Sequence, residues 1–256
     1  MPEFYDSFKT PIVVAAVEGP SDIRYLKEPL EASFRRKYGS TCKLIPITDL
    51  TGNPEIDEPD FVATLQDRIE ERLSGKEYLI DEDVAVMIDE IVYIIDIDEA
   101  YVDDSLIIDD PSHAEFFYTR GGIHHHPSKD VVRRNVRKRN RIQSLLGIDR
   151  VTVFRRSIPF SLYFYSVNID DFHHDDALNW DDAKKNREAA LFERHYLQKK
   201  SPEGKIKLFK ELFEKRNPDD FPAKYIESWD YIKNDNHSLN RCSNVFLILD
   251  RNNRKK

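Results

Sequence analysis

The sequence predicts an α/β protein built on a mostly parallel sheet flanked by helices, with a mainly helical C-terminal extension. Three observations predict it. Two apolar runs, Ile12-Val13-Val14-Ala15-Ala16-Val17 and Ile91-Val92-Tyr93-Ile94-Ile95, are short and continuous rather than alternating, the pattern of strands buried on both faces. Between them lie segments whose apolar residues recur at helical spacing. Beyond about residue 170 the helical patterns dominate, and no internal repeat, low-complexity tract or Gly/Ser linker interrupts them.

The elements follow in order. After the first run, Gly19-Pro20 ends the strand and Ser21 or Asp22 can cap a helix with Ile23, Leu26, Leu30 and Phe34 on its apolar face; Pro29 predicts a kink or break. Leu44-Ile45-Pro46-Ile47 reads as a strand whose proline places it at an end or edge. Phe61, Leu65, Ile69 and Leu73 share one helix face. Residues 81–90 fit a short helix or a strand, and both stay open. Residues 101–127 carry mixed signals, including Gly121-Gly122 and His124-His125-His126, and predict loops with a short hairpin. Ser128 can cap a helix with Val132, Val136, Ile142 and Leu146 as its stripe and Gly147 at its end. Strands are expected at 151–154 and 160–167, helices at 181–198, 202–215 and 225–233, and a last strand or buried helical turn at 245–249. The implied division is a domain at 1–170, with an insertion around 101–147, and a region at 171–256 packed on it.

With 256 residues the chain can bury a large core. Its net charge of -8 speaks against coating nucleic acid by bulk electrostatics, but the charges are unevenly placed. Acids crowd 55–60, 81–90 and 96–110, whereas Arg133, Arg134, Arg137, Lys138, Arg139 and Arg141 fall within one helix and the chain ends Arg254-Lys255-Lys256. Met1-Pro2-Glu3-Phe4 does not resemble a secretory leader and no apolar run is long enough to span a bilayer, so a cytoplasmic protein without a membrane partner is expected. Cys42 and Cys242 are too few for a disulfide framework and read as buried small hydrophobes.

Chemistry concentrates at strand ends. In Asp96-Ile97-Asp98 an extended backbone sends both carboxylates to one side, roughly 6.6 Å apart. Hard oxygen ligands of this kind suit Mg2+ or Mn2+. Glu18 ends the other buried run, and adjacency of the two strands brings the three acids together. Taken singly, Glu18-Gly19 also reads as a strand-to-helix turn, and acids closing a buried strand are common.

Together, Val17-Glu18-Gly19-Pro20-Ser21-Asp22 after a strand and Ile94-Ile95-Asp96-Ile97-Asp98-Glu99 later resemble the TOPRIM signature of a strand-end glutamate followed by DxD. Without topoisomerase or primase modules, the first hundred residues are most similar to OLD-family nucleases and to small TOPRIM effectors of bacterial anti-phage systems, of the AriB/RloB-like kind. The resemblance implies a TOPRIM-like (Rossmann-like) catalytic domain and a metal-dependent nuclease cleaving phosphodiester bonds. It further implies the effector of an abortive-infection system regulated by an ABC-type ATPase partner. Catalytic roles fall on Glu18, Asp96, Asp98 and Asp22, and Mg2+ or Mn2+ would be held by Glu18, Asp96, Asp98 and Glu99. The nucleic acid, whether DNA, transfer RNA or another RNA, would meet Arg133, Arg134, Arg137, Lys138 and Arg141; a homo-oligomer is left open.

Competing readings remain. The basic helix also reads as a solvated face paired with the chain's own acids. His124-His125-His126 and His173-His174 read better as exposed loops than as ligands, and the aromatics at 160–165 read as core. Asn168, Asp170 and Asp171 follow a strand and are further ligand candidates. An HAD-type phosphatase with Asp96 as nucleophile would carry its motif nearer the N-terminus and would not have Ala100 where it has Thr or Val. A nucleotidase is set aside because no phosphate-binding G-x-x-x-x-G-K-[ST] occurs. A catalytically inert TOPRIM-like adaptor is the non-enzyme alternative.

Overall fold

Every residue of β1 (Ile12–Ala16) is buried, which requires cover on both faces of the sheet. The structure, a computed structural model, describes residues 10–48, 50 and 60–249. The N-terminal tetrapeptide, the acids at 55–59 and Arg254-Lys255-Lys256 lie outside the described residues. β1 pairs in parallel with β2 (Lys43–Ile47) and with β3 (Ile88–Asp96). β3 pairs in parallel with β8 (Arg156–Tyr165), and β7 (Arg150–Val153) closes the far side antiparallel, giving the order β2-β1-β3-β8-β7. Pro46 thus sits in an edge strand, where its missing N–H removes no ladder bond from a central strand.

Alternation along the strands builds two cores. Val13, Ala15, Val92, Ile94 and Tyr163 face α1 (Pro20–Tyr38), α6 (Asp182–Phe192) and α7 (Pro202–Arg216). Val14, Ala16, Tyr93, Ile95 and Leu162 face α2 (Phe61–Ser74), α4 (Ser128–Leu146) and α8 (Tyr225–Lys233). The molecule is therefore α/β with a mostly parallel, mixed sheet flanked by helices. Tyr163, Phe164 and Tyr165 are core, as expected for that strand, and both cysteines are buried. Among the described residues no helix is long and apolar enough to cross a membrane.

Several local expectations need correction. α1 starts at Pro20 with Gly19 as its cap; Asp22, inside the first turn, accepts the Gly19 N–H at 2.9 Å instead of capping as the first residue. The helix runs unbroken through Pro29, whose ring is buried between Leu26 and Leu30. Packing of that face against the sheet outweighs the lost backbone bond. The undecided stretch resolves into a four-residue helix, α3 (Glu82–Ala85), before β3 begins at Ile88. α4 is not capped by Ser128: Asp109 Oδ1 accepts the Ser128 N–H at 3.1 Å, and Pro127 holds the cap position. Its buried stripe is Val131, Asn135, Ile142 and Leu145: Ile142 is as expected, the other three lie one position before Val132, Val136 and Leu146, and Val136 is exposed.

Between β3 and α4 the expected short hairpin forms, and a further strand, not foreseen, extends it into a second sheet. β4 (Ile107–Asp109), β5 (Phe117–Thr119) and β6 (Gly122–His125) are ordered β4-β6-β5. Gly122, at φ 143°, closes the β5–β6 hairpin where an added Cβ would lie 2.0 Å from the Leu106 carbonyl oxygen. The hairpin is tied down by Arg120, whose guanidinium donates to buried Asp171 at 2.6 Å. Asp171 belongs to α5 (Ile169–His173), so the small sheet is fixed against the carboxyl end of β8.

The C-terminal segment seals an edge that β7 leaves open. β7 pairs with β8 only from Arg156 to Pro159, so the outer backbone groups of Leu162 and Phe164 need other partners. Tyr225 Oη accepts the Leu162 N–H at 3.2 Å and donates to its carbonyl at 2.7 Å; Asn244 Oδ1 accepts the Phe164 N–H at 2.9 Å. Asn244 also donates to Ser228 Oγ at 3.1 Å, joining α8 to the turn α9 (Phe246–Leu249), which resolves the last segment as helical. Asn244→Ala strands the buried Phe164 N–H and should lower the unfolding free energy by about 1–3 kcal/mol, read as a lower urea midpoint at unchanged slope.

Candidate functional site

The strand order places a crevice between β1 and β3. After β1 the chain turns to α1 on one face; after β3 it leaves toward the small sheet and α4 on the other. Ligands of open α/β sheets bind outside the carboxyl ends of strands at such a reversal. Glu18 follows β1 there and Asp96 ends β3.

The backbone after Asp96 departs from the extended form expected of it. Ile97 donates to the Tyr165 carbonyl at 2.8 Å, Asp98 to Val167 at 3.1 Å and Glu99 to Ser166 at 3.1 Å. To make these bonds Asp98 and Glu99 both turn left-handed, at φ 51° and 56°. The two aspartates therefore do not share a pleat; the turn, not strand alternation, presents the Asp98 carboxylate. Such conformations cost on the order of 1 kcal/mol per residue, and asparagine or aspartate tolerates them best.

Lys138 organises the cluster. Its ammonium donates to Asp98 and lies 3.8 Å from Glu18, while Arg134 stands 3.8 Å from Asp98. Within α4, residues 134, 137, 138 and 141 recur on one helix face, and all four line a cavity of about 250 Å3 that also reaches Glu18 and Asp98. On the opposite side Asp96 and Asp98 line an open cleft of about 690 Å3 whose far wall carries Trp180 and Lys185. The space is ample for a phosphate group, given about 30 Å3 for a water molecule.

The cations Lys138 and Arg134 do not balance these acids. Burial pushes the Glu18 carboxyl up to about 7, with Asp98 and Asp22 adding to the shift and Lys138 opposing it. Burial likewise raises Asp22 to about 6, helped by Asp170, although Gly19 and Ser21 hydrogen bonds hold it down. Asp96 lies well above the usual carboxylate range through burial and then through Asp22, Glu18 and Asp98. Asp98 goes the other way: burial would raise it, but Lys138 and Arg134 hold it low. Lys138 itself is raised, the pull of Asp98 and Glu18 overcoming its burial.

The other candidates separate into groups. Glu99 is fully buried with neither carboxyl oxygen hydrogen-bonded, and burial carries it to about 9 despite Arg120 and Arg134. Asn168 caps α5 through the Asp171 N–H at 2.8 Å and also lines the open cleft. Asp170 accepts from Tyr25 Oη at 3.1 Å, and Asp171 is held by Arg120 and Arg241 as a structural ion pair. Arg133 pairs with Asp130 and is not among the residues lining that cavity, and Arg139 donates to the Ala100 carbonyl at 2.9 Å.

Of the histidines expected in exposed loops, His126 is in one and the others are not. His124 and His125 lie in β6, and His125 is buried; His126 alone of the three is exposed, against Asp109 at 2.9 Å. His173 is buried against Tyr25 with ring centroids 4.3 Å apart, and His174 Nε2 is 3.1 Å from Tyr25 Oη. Among the described residues one set of Asp and His side chains brings its ligand atoms within 4.8 Å of one another, Asp110, His113 and His124. It could hold a metal ion, with nitrogen donors unlike those preferred by Mg2+. Glu18, Asp96 and Asp98 stand wider than this, with Lys138 reaching into their midst.

A scan against protein-family models finds no matching family, and searches of curated proteins and of solved structures find no match to this chain.

The shifts fix a pH signature. A carboxyl whose folded pKa is raised stabilises the fold below its unfolded value and loses that contribution as pH rises through the folded one. For Glu18 the window runs from 4.5 to about 7, and for Asp22 from 3.8 to about 6; Asp98, shifted down, loses its contribution only on acidification. In EDTA, Glu18→Gln should raise the melting temperature relative to wild type by roughly 3–6 °C more at pH 7.5 than at pH 4.5. An offset equal at both pH values would contradict the burial of an uncompensated Glu18 charge.

Proposed function

We propose that this chain is a TOPRIM-type, divalent-metal-dependent nuclease whose centre is the acidic cluster at the ends of β1 and β3. The observation that carries the reading is the imbalance of that cluster: Glu18, Asp22 and Asp96 are driven toward protonation, and Lys138 compensates Asp98 and part of Glu18. A hard cation is what such an all-oxygen donor set lacks, and the Lys138 ammonium already marks a cation position within it. The wide spacing of the carboxylates suits a metal that keeps several of its waters, so Mg2+ or Mn2+ would be held by Asp96, Asp98 and Glu18 partly through water, with Lys138 drawn aside. Glu99, sealed from the cleft, is less suited to complete the set.

When bound, the metal supplies charge stabilisation on the transferring phosphoryl group. The chain's own residues do the rest. Glu18 would either complete the metal's ligands or take the proton of the attacking water as the new O–P bond forms, the leaving oxygen gaining its proton from solvent as the old bond breaks. Lys138 and Arg134 are placed to meet phosphate oxygens, and Arg137 and Arg141 continue the same cationic face toward the strand beyond.

A phosphatase using Asp96 as nucleophile is less well supported. Its proton donor would be Asp98, the one carboxyl of the cluster held deprotonated. The inert-adaptor reading gives no reason for burying carboxyls at a cost when apolar residues would fill the space. Roles in anti-phage defence and regulation by an ABC-type ATPase follow from the sequence resemblance alone and belong to the same proposal.

The test is incubation of the purified chain with mixed DNA and total RNA in Mg2+, Mn2+ or EDTA, beside Glu18→Gln and Asp96→Asn. Metal-dependent cleavage reduced at least about a hundredfold in both variants is expected. Cleavage that survives EDTA or Asp96→Asn would remove this centre from the reaction.

A further inference from the structure

We propose that the cavity beside the acidic cluster is a nucleobase pocket, so that the substrate is a single-stranded or looped nucleic acid with one base turned out of its stack next to the phosphate that is cut. This rests on the nuclease reading and narrows its substrate class.

The cavity of about 250 Å3 has Glu18 and Asp98 in its lining. Its walls are unlike those of a site for phosphate alone. Phe61, Tyr93, Phe116 and Tyr118 surround it, and aliphatic Ile142 and Leu145 close it. Aromatic faces at this density suit a planar base, which stacks on them without regard to sequence. Two walls are already stiffened by cations: the Arg134 guanidinium lies 4.9 Å from the Phe116 ring centre, and that of Arg141 lies 4.9 Å from Phe61.

The lining is also polar at one part of its surface. Arg134, Lys138 and Asp98 contribute to the same cavity as the aromatic rings. A guest that is planar and apolar on its faces and carries hydrogen-bonding groups on its edge matches both parts of the lining, as a base does. A hydrocarbon guest would match only the first.

Placement then restricts the nucleic acid. The pocket adjoins the carboxylates, so a base within it belongs to a nucleotide beside the reacting phosphate. A paired, stacked base cannot enter, whereas an unpaired one enters at little cost. The small sheet serves this purpose, since Phe116 and Tyr118 reach the cavity because Arg120 anchors their hairpin to Asp171.

The experiment measures binding by fluorescence anisotropy in Ca2+. It uses labelled single-stranded DNA and RNA oligonucleotides and matched copies with one abasic nucleotide at successive positions. Phe116 is 37% exposed, so Phe116→Ala can be made without opening the core. For wild type, one abasic position should weaken binding about tenfold; Phe116→Ala should bind intact and abasic strands alike, and Phe116→Trp should restore the difference. Equal binding of intact and abasic strands by wild type, or no binding of any strand, overturns the pocket. Cleavage without an abasic effect keeps the nuclease and removes the pocket; an abasic effect without cleavage in Mg2+ or Mn2+ keeps the pocket and removes the nuclease. The DNA and RNA arms report the sugar.

Discussion

Burial of several carboxyls around too few cations, Lys138 foremost, is the constraint on which the candidate site depends. Asp98 is paired, but Glu18, Asp22 and Asp96 share a floor in which burial raises all three, Asp22 raises the other two, and Glu18 raises Asp96 further. Such a floor opposes folding when all its members are charged. The fold supports it with rigid elements on every side: β1 and β3 supply the acids from the middle of the sheet, and α4, packed on both the main and small sheets, supplies the cation. A site strained in this way is poised to accept positive charge.

The small β4-β6-β5 sheet gives that floor its two openings. It leaves the chain directly after the strained Asp98-Glu99 turn and is held at its far end by the Arg120–Asp171 pair, so its edge forms one wall of both the aromatic cavity and the open cleft. The same sheet brings Asp110, His113 and His124 to the cleft's rim, where His113 is also a lining residue. C-terminal residues contribute differently. Tyr225, Ser243 and Asn244 substitute for a neighbouring strand along β8 and so hold the backbone that fixes Ile97, Asp98 and Glu99.

Much of this is legible in the amino-acid sequence. Continuous apolar runs locate β1 and β3, and Glu18 and Asp96 fall at their ends because a strand buried on both faces must stop where charge begins. The Asp98 geometry is not legible there: its left-handed turn is imposed by carbonyls of Tyr165, Ser166 and Val167, more than sixty residues away in sequence. In α4 six cations crowd a stretch with few apolar markers, so a stripe through Val132 and Val136 fits the pattern as well as the true one through Val131 and Asn135. Shifting that phase by one residue is what separates a solvated Lys138 from one aimed at Asp98 and Glu18. Three-residue strands such as β4 and β5 leave no periodicity to read, and the Asp109 cap and Asp110–His113–His124 set depend on pairings made only by that small sheet.

Calorimetric titration of the metal-free protein with Mn2+ near pH 7, repeated in buffers of different ionisation enthalpy, tests the central claim most directly. Binding at the acidic cluster must displace protons held by Glu18 and Asp96. The predicted result is Mn2+ binding with net proton release, lost in Asp96→Asn and retained in His124→Ala. Binding that persists in Asp96→Asn and disappears in His124→Ala, or no binding to the folded wild type, would contradict it.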